Sequence, residues 1–200
     1  MKKNFFIIVF FIFFTVVLTN KSYAYSSDPK QFISEIVDEA KKILVESNSK
    51  EFKSKNLSEL ALKTVDIKGI GYYTLGNYRK KLSDEQMEKY SSLFEKYFLK
   101  SFTSRLTDYS DPKIDVLGVE VLNSKYTIVR SLLLGTDKKP EVKIDWRVYT
   151  KDPNNPLIRD LIVEGLSLAR TQKEEFASVL ETNNGDVTKL FITLEEFINK

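Results

Sequence analysis

The spacing of apolar residues changes twice along this 200-residue chain, and these changes constrain the fold more than any other feature. Between about residues 28 and 108, apolar side chains recur every three or four positions, as in amphipathic helices. Between about residues 113 and 166 they alternate with polar residues, as in half-buried strands. The helical spacing returns from Ser167 onward. This order of helices, strands and helices predicts an α+β domain.

Four alternating runs make up the middle of the chain. The clearest is EVKIDWRVY, in which the apolar residues from Val142 to Val148 face one way and the residues between them face the other. The connectors NSK, TDKKP and DPNNP are short and rich in turn-forming residues. The sequence therefore predicts an antiparallel four-stranded meander with helices packed on its one covered face.

Two helix starts are marked by their side chains. Asp28 followed by Pro29 offers a capping carboxylate and a proline at the first helical position. The run Ser83-Asp84-Glu85-Gln86 is a capping box, and the helix it opens carries many aromatic residues on one face.

The N-terminal segment has the three parts of a secretory signal. MKKN is positively charged, FFIIVFFIFFTVVL is apolar, and TNKSYA places small residues before a cut. We expect residues 1–24 to be a cleaved signal peptide and residues 25–200 to be one domain, with an uncleaved anchor as the alternative. Three of the 31 basic residues lie in this signal, so the remaining 28 balance the 28 acidic residues and give no reason to expect nucleic-acid binding.

Histidine and cysteine are both absent from the sequence. Catalysis by serine–histidine or cysteine–histidine pairs is therefore impossible, and so is a disulfide. A hydrolase using two carboxylates, Asp145 and Glu164 on neighbouring predicted strands, remains an alternative. Because the expected arrangement is Asp145 paired with Lys143 or Arg147 on the solvated face, we predict a protein that is not an enzyme and needs no metal.

The stretch KGIGYYTLG at residues 68–76 raises the question of a phosphate-binding loop. No predicted strand precedes it, Thr74 stands where a dinucleotide loop has its third glycine, and a Walker loop would require a lysine after Gly76. We therefore interpret the glycines as marking the junction of two helices and allowing close approach of the backbone.

Several segments in order resemble the MlaC family. They are GIGYYTLGNYRKKLSDEQMEKYSSLFEKYFLKSF, VKIDWRVY and IRDLIVEGLSLARTQKEEFASVL. The resemblance extends from about residue 28 to residue 196. These proteins are periplasmic phospholipid carriers of the pathway that maintains outer-membrane lipid asymmetry, and are also known as the toluene-tolerance family.

The resemblance implies a monomeric periplasmic protein that encloses acyl chains in an apolar pocket between sheet and helices and leaves the headgroup in solvent. Phospholipid would be its cargo, and no cofactor is expected. The implied partners are an inner-membrane ring of lipid-binding domains tied to an ABC transporter and an outer-membrane lipoprotein–porin complex. An adaptor domain with a filled core is the alternative.

Helix phase and strand alternation give a set of residues expected to line the pocket. For each of them, ordinary core packing without ligand contact is the alternative. The set consists of Tyr72, Tyr73, Leu75, Phe94, Tyr97, Phe98, Trp146, Val148, Leu161 and Val163.

Overall fold

The computed structural model describes residues 25–46, 48–137 and 140–200, and within these it has six α-helices and five strands. The expected signal peptide, residues 1–24, lies outside the described residues. The helices are α1 (Pro29–Val45), α2 (Lys50–Thr64), α3 (Ile67–Leu75), α4 (Asp84–Leu106), α5 (Leu168–Thr182) and α6 (Val187–Asn199). The strands are β1 (Ile114–Asn123), β2 (Tyr126–Leu133), β3 (Val142–Tyr149), β4 (Leu157–Val163) and β5 (Leu166–Ser167).

Polar side chains fix the helix starts, as predicted. The Asp28 carboxylate accepts a hydrogen bond from the Gln31 N–H at the start of α1. At the start of α4, the side chains of Ser83 and Gln86 each bond the other's backbone N–H, which completes the capping box. These bonds satisfy backbone donors that a helix cannot pair internally, so the sequence sets where each helix begins.

The strands form one antiparallel sheet in the order β1-β2-β3-β4-β5, which confirms the α+β prediction and the four-stranded meander. The fourth predicted strand is divided at Glu164 and Gly165, whose φ angles of 50° and 81° turn the chain back. The two residues of β5 then pair with the end of β4. A bulge between β3 and β4 inserts Arg159 as an extra residue opposite the step from Arg147 to Val148.

One face of the sheet is covered by α1 and α2. Trp146 pairs with Val129 on β2 and Leu161 on β4, so these apolar side chains share that face. They belong to a sheet cluster with the inner residues of α1 and Leu60 of α2. This cluster contains Phe32, Ile33, Ile36, Val37, Leu60, Val129, Val148 and Ile158, with Trp146, Leu161 and others packed against it.

The opposite face is solvated over only part of its area. Ile128 and Asp160 lie on that face and are buried, with 6% and 4% of their surface exposed. The N-terminus of α5 contacts this face, since the Ala169 N–H donates to Asp160. The prediction of one wholly wet face is therefore wrong at the β4 end of the sheet, where α5 packs.

A second group of apolar residues, the helix cluster, is built from α3, α4, α5 and α6. It contains Tyr90, Phe94, Phe176, Leu190 and other inner residues of these helices. Val65, between α2 and α3, packs against both clusters and forms a parallel bridge with Ile158 of β4. The interior thus has two apolar parts that meet at the edge of the sheet. Among the described residues, no helix combines the length and apolar character needed to cross a bilayer.

Candidate functional site around helix α3

The stretch KGIGYYTLG forms helix α3, which begins after Asp66 and ends at Gly76. The Asp66 carboxylate accepts from the Gly69 N–H and caps the helix. Gly76 has a φ of 54°, a conformation that costs glycine little, and it ends the helix as predicted. Gly69 and Gly71 lie inside the helix, so the interpretation of these two as junction residues is wrong.

Gly71 gives space to an aromatic ring of α4. A Cβ atom at this position would lie 2.8 Å from Cδ1 of Phe94, closer than carbon atoms approach in proteins. The absence of a side chain therefore lets α3 and α4 pack closely. The close approach predicted from the sequence occurs, but it involves the Phe94 ring and not a neighbouring backbone.

A buried hydroxyl pair joins the same two helices. The Tyr90 hydroxyl lies 2.7 Å from the Thr74 hydroxyl, and both are hydrogen-bonded to the Gly71 carbonyl oxygen. Tyr90 is fully buried, and this burial raises the pKa of its hydroxyl above the ordinary value of 10.0. The neutral hydroxyl therefore acts as a fixed structural link between α3 and α4.

Aromatic rings extend along α4 from this link. Phe94 stacks on Tyr90 at 5.7 Å and meets Tyr97 and Phe98 at 6.2 and 6.3 Å between ring centroids. The Tyr97 hydroxyl donates to Gln172 Oε1 of α5 at 2.6 Å, and burial raises the pKa of Tyr97. The predicted residues Phe94, Tyr97 and Phe98 therefore lie side by side, with Leu75 buried in the same helix cluster.

A first cleft of about 570 Å³ lies between α3 and α4. Two of the predicted residues, Tyr72 and Phe94, line it. Acidic and hydroxyl side chains of α4, including Asp84, Glu88 and Ser91, line it as well. The first cleft is therefore an open groove of mixed polarity.

A second cleft of about 290 Å³ lies on the other side of α3, toward the sheet. Its lining includes Tyr73, which is 43% exposed and carries the ammonium of Lys173 5.1 Å from its ring centroid. The charged residues Arg147, Arg159 and Asp160 also line this cleft. Tyr73 and its neighbour Tyr72 thus line different clefts.

The four predicted residues of the sheet lie elsewhere. Val148 is fully buried in the sheet cluster, and Trp146 and Leu161 pack against that cluster. The indole N–H of Trp146 donates to the Ser131 hydroxyl at 2.8 Å. Val163 is half-buried and pairs with Ile144 and Leu166 at the end of β4.

The structure therefore brings the predicted lining together in two groups. Five of the six helical residues line the first cleft or belong to the helix cluster, while Tyr73 lines the second cleft. The sheet residues Trp146, Val148 and Leu161 belong to the sheet cluster. The two clusters meet at Val65, and the role of these residues as a lipid-contacting wall stays a prediction.

Sequence reasoning missed the charged pairs beside α3. Arg159 is paired with Asp66, and Arg147 Nη1 lies 3.3 Å from Asp160 Oδ2. The one available signal was Asp160 itself, a carboxylate within the apolar run LIRDLIV. A buried carboxylate needs hydrogen-bond donors, and Asp160 has them in the Ser167 hydroxyl and the Ala169 N–H.

The two carboxylates considered for catalysis, Asp145 and Glu164, have different surroundings in the structure. Glu164 accepts a hydrogen bond from the Lys143 N–H and holds the β4–β5 turn to β3. Asp145 stands opposite Arg130 and Ile162 in the sheet register, while Arg147 pairs with Asp160. Of the two partners expected for Asp145, Arg147 is therefore wrong, and the pairing with Lys143 stays a prediction. The described residues contain no cluster of three or more potential metal-ligating side chains.

Comparison with known proteins gives a family match and a match to a solved structure. A family model described as MlaC protein matches residues 30–196. A phospholipid-binding protein from Ralstonia solanacearum, solved in complex with a phospholipid, superposes with a TM-score of 0.72. The alignment covers 87% of this chain and 97% of that chain at 19% sequence identity. At this identity, the likeness establishes a shared fold.

Proposed function

Because this chain belongs to the MlaC family, we propose that it is a periplasmic carrier that encloses the acyl chains of a phospholipid and exchanges them on contact with membrane-bound partners. Family membership confirms the resemblance stated from the sequence and the prediction that the protein is not an enzyme. The inner-membrane lipid-binding ring with its ABC transporter and the outer-membrane lipoprotein–porin complex are the proposed partners. The Ralstonia protein, which carries a phospholipid on the same fold, supports the choice of cargo.

The observation that carries this proposal is the division of the interior into two apolar clusters that meet at Val65. Separating the helix cluster from the sheet cluster would open a slot between the predicted residues of the two clusters, a set that does not include Tyr73 or Val163. Val65 and Ile158 are joined there by an isolated bridge and not by a full strand pairing. Opening at this point would therefore leave the hydrogen bonds of the main sheet intact.

Several of the proposed wall residues are closely packed in this structure. Leu75 and Phe94 are each 2% exposed and Val148 is 0% exposed. Acyl chains would have to displace contacts between the clusters and replace them with contacts of similar apolar character. Burial of apolar surface is roughly proportional to area and does not depend on direction, so this replacement costs little once lipid is present.

The same physics requires exchange by contact. A chain of about 16 carbons costs about 12 kcal/mol to expose to water, at roughly 0.8 kcal/mol per CH₂. Two chains would cost about twice as much, which exceeds the practical limit of non-covalent affinity. Release into water is therefore too slow for transport, and the lipid must pass from one apolar environment directly into another.

Native mass spectrometry with lipid extraction from the same preparation tests the cargo. We expect intact phospholipid at close to one molecule per protein. Phe98→Glu would place a charge in the aromatic row and should lower this occupancy, whereas the control Lys143→Glu changes an exposed residue of β3. A bare protein mass that is unchanged after incubation with vesicles would refute the carrier and favour an adaptor with a filled core.

The mode of exchange has its own measurement. Protein loaded with a fluorescent phospholipid is mixed with acceptor vesicles of phosphatidylethanolamine and phosphatidylglycerol. Exchange by contact predicts a transfer rate that rises with vesicle concentration. A rate that is the same at all vesicle concentrations would mean release into water, and would contradict the exchange mechanism while leaving lipid binding in place.

A further inference from the structure

The second cleft combines two guanidinium groups with an apolar rim. Arg147 and Arg159 both line it, and their side chains are 37% and 28% exposed. Leu122 and Tyr73, which also line it, are 45% and 43% exposed. Two guanidinium groups therefore lie beside partly exposed apolar side chains in one cleft, as the phosphate of a headgroup lies beside the start of its acyl chains.

Both arginines retain donors beyond those used by their carboxylate partners. A guanidinium carries five N–H donors, and each arginine here has one carboxylate partner, Asp160 or Asp66. Within the part of the chain that the structure describes, Arg159 Nε is buried and has no hydrogen-bond partner. A buried donor without an acceptor is costly, so the hydrogen-bonding capacity of this guanidinium is not fully used within the described residues.

The local charge also favours an anion, although each arginine is paired. Asp66 caps α3 through the Gly69 N–H, and Asp160 accepts from the Ala169 N–H in the first turn of α5. Each carboxylate is therefore shared between a guanidinium and a helix N-terminus, which carries about half a positive charge. Two arginines and two helix ends outweigh two carboxylates by about one unit of charge.

The position of Arg159 is held from two further sides. Its guanidinium carbon lies 4.6 Å from the ring centroid of Tyr149, whose own ring contacts Tyr126 at 5.5 Å. Arg159 is the bulged residue of β4, which displaces it from the regular alternation of the strand. Ring contact and bulge together aim the guanidinium at α3, where Gly69 leaves room: a Cβ there would lie 2.8 Å from the guanidinium carbon.

We propose that the second cleft is a phosphate site, in which Arg147 and Arg159 bind the phosphate group of the carried phospholipid. The inference rests on the proposed function for this ligand, and a free phosphate ion has the same chemistry. The volume of about 290 Å³ would hold roughly ten water molecules, which suits a headgroup and is small for two acyl chains. The family resemblance implies a headgroup that is left in solvent. In this site, by contrast, the protein would hold the phosphate of the headgroup.

Two lipids with identical acyl chains, phosphatidylglycerol and diacylglycerol, separate the headgroup from the chains. We expect the protein, expressed from the full chain, to bind phosphatidylglycerol about tenfold or more tightly, the effect of one hydrogen bond to a charged group. Arg147→Gln should remove this preference. Arg130→Gln is the matched control, because Arg130 is an exposed arginine of β2 that pairs with Glu120.

The outcomes distinguish this inference from the proposed function. Equal affinity for the two lipids in the wild-type protein would overturn the phosphate site and leave the carrier in place. Binding of neither lipid would overturn the carrier. In that case, titration of lipid-free protein with inorganic phosphate tests whether the second cleft binds phosphate. Binding that is lost in Arg147→Gln supports a site for free phosphate, and an absence of binding refutes the site.

A conservative variant guards against loss of folding. Arg147→Lys keeps the charge and the pairing with Asp160 but lacks the planar fork that binds two phosphate oxygens at once. If Arg147→Gln does not fold, Arg147→Lys should still show a reduced preference for phosphatidylglycerol. An unchanged preference in a folded Arg147→Lys, with Arg130→Gln also unchanged, would contradict the role of Arg147.

Discussion

Gly71→Ala tests whether the contact between α3 and α4 depends on the missing side chain. The new Cβ would lie 2.8, 3.2 and 3.3 Å from Cδ1, Cγ and Cε1 of Phe94. The ring cannot easily move, because it contacts Tyr90, Tyr97 and Phe176 at centroid distances of 5.7 to 6.2 Å. The substitution therefore forces extra volume into a closely packed cluster.

The magnitude follows from two opposing effects. Overpacking of a core costs about 1–3 kcal/mol. Alanine is favoured over glycine inside a helix by about 1 kcal/mol, which offsets part of that cost. We expect the free energy of unfolding to fall by about 1 kcal/mol, which shifts the urea midpoint by roughly 0.4 M for a typical denaturant slope.

Urea unfolding followed by circular dichroism measures this change. The matched control is Gly118→Ala in β1, where an added Cβ would meet no atom within 4 Å. That variant should be as stable as the wild type or slightly more stable, since alanine restricts the unfolded chain. A midpoint for Gly71→Ala at or above that of Gly118→Ala would refute the reasoning, because it would show that the Phe94 ring yields freely.

Two further predictions concern buried polar groups. Tyr90→Phe removes the hydroxyl bonded to Thr74 and should lower the unfolding free energy by about 1 kcal/mol. Burial raises the pKa of Tyr90, so above the ordinary value of 10.0 the tyrosine ionises in the unfolded state before it does in the folded state. The unfolding free energy of the wild type should therefore fall as the pH rises above 10.0. An equal fall in the Tyr90→Phe variant over the same pH range would contradict this. Asp160→Asn weakens the bonds to Ser167 and Arg147 and should cost about 2 kcal/mol at pH 7 in a thermal or urea melt, whereas a change below 0.5 kcal/mol would show that the charge is unimportant.

Much of the architecture could be predicted because it depends on neighbours in the chain. The capping box at Ser83 and the cap at Asp28 are bonds between residues three apart, and both occur as expected. Alternation in EVKIDWRVY gave the face on which Trp146 and Val148 lie. These patterns reflect the periods of a helix and a strand, which are fixed by backbone geometry.

The sequence-based predictions were wrong where the tertiary environment, and not the local sequence pattern, determined the structure. Gly69 and Gly71 have low helix propensity, yet they lie inside α3, where Arg159 and Phe94 occupy the space that side chains would need. Asp145 stands on the expected face, but Arg147 pairs with Asp160 because the bulge and the approach of α5 bring that carboxylate into reach. Tertiary contacts override local preference in both cases.

The sequence by itself determined the α+β class, the meander, the helix starts and the apolar residues available for a lipid, since each of these is set by spacing along the chain. The tertiary structure alone decided that the proposed wall is divided between two clusters meeting at Val65, and that two arginines lie beside α3. The physical reason is that contacts such as Tyr97 with Gln172, which are 75 residues apart, depend on the angles at which helices pack against each other and the sheet. Periodicity identifies a buried face but not the element that covers it.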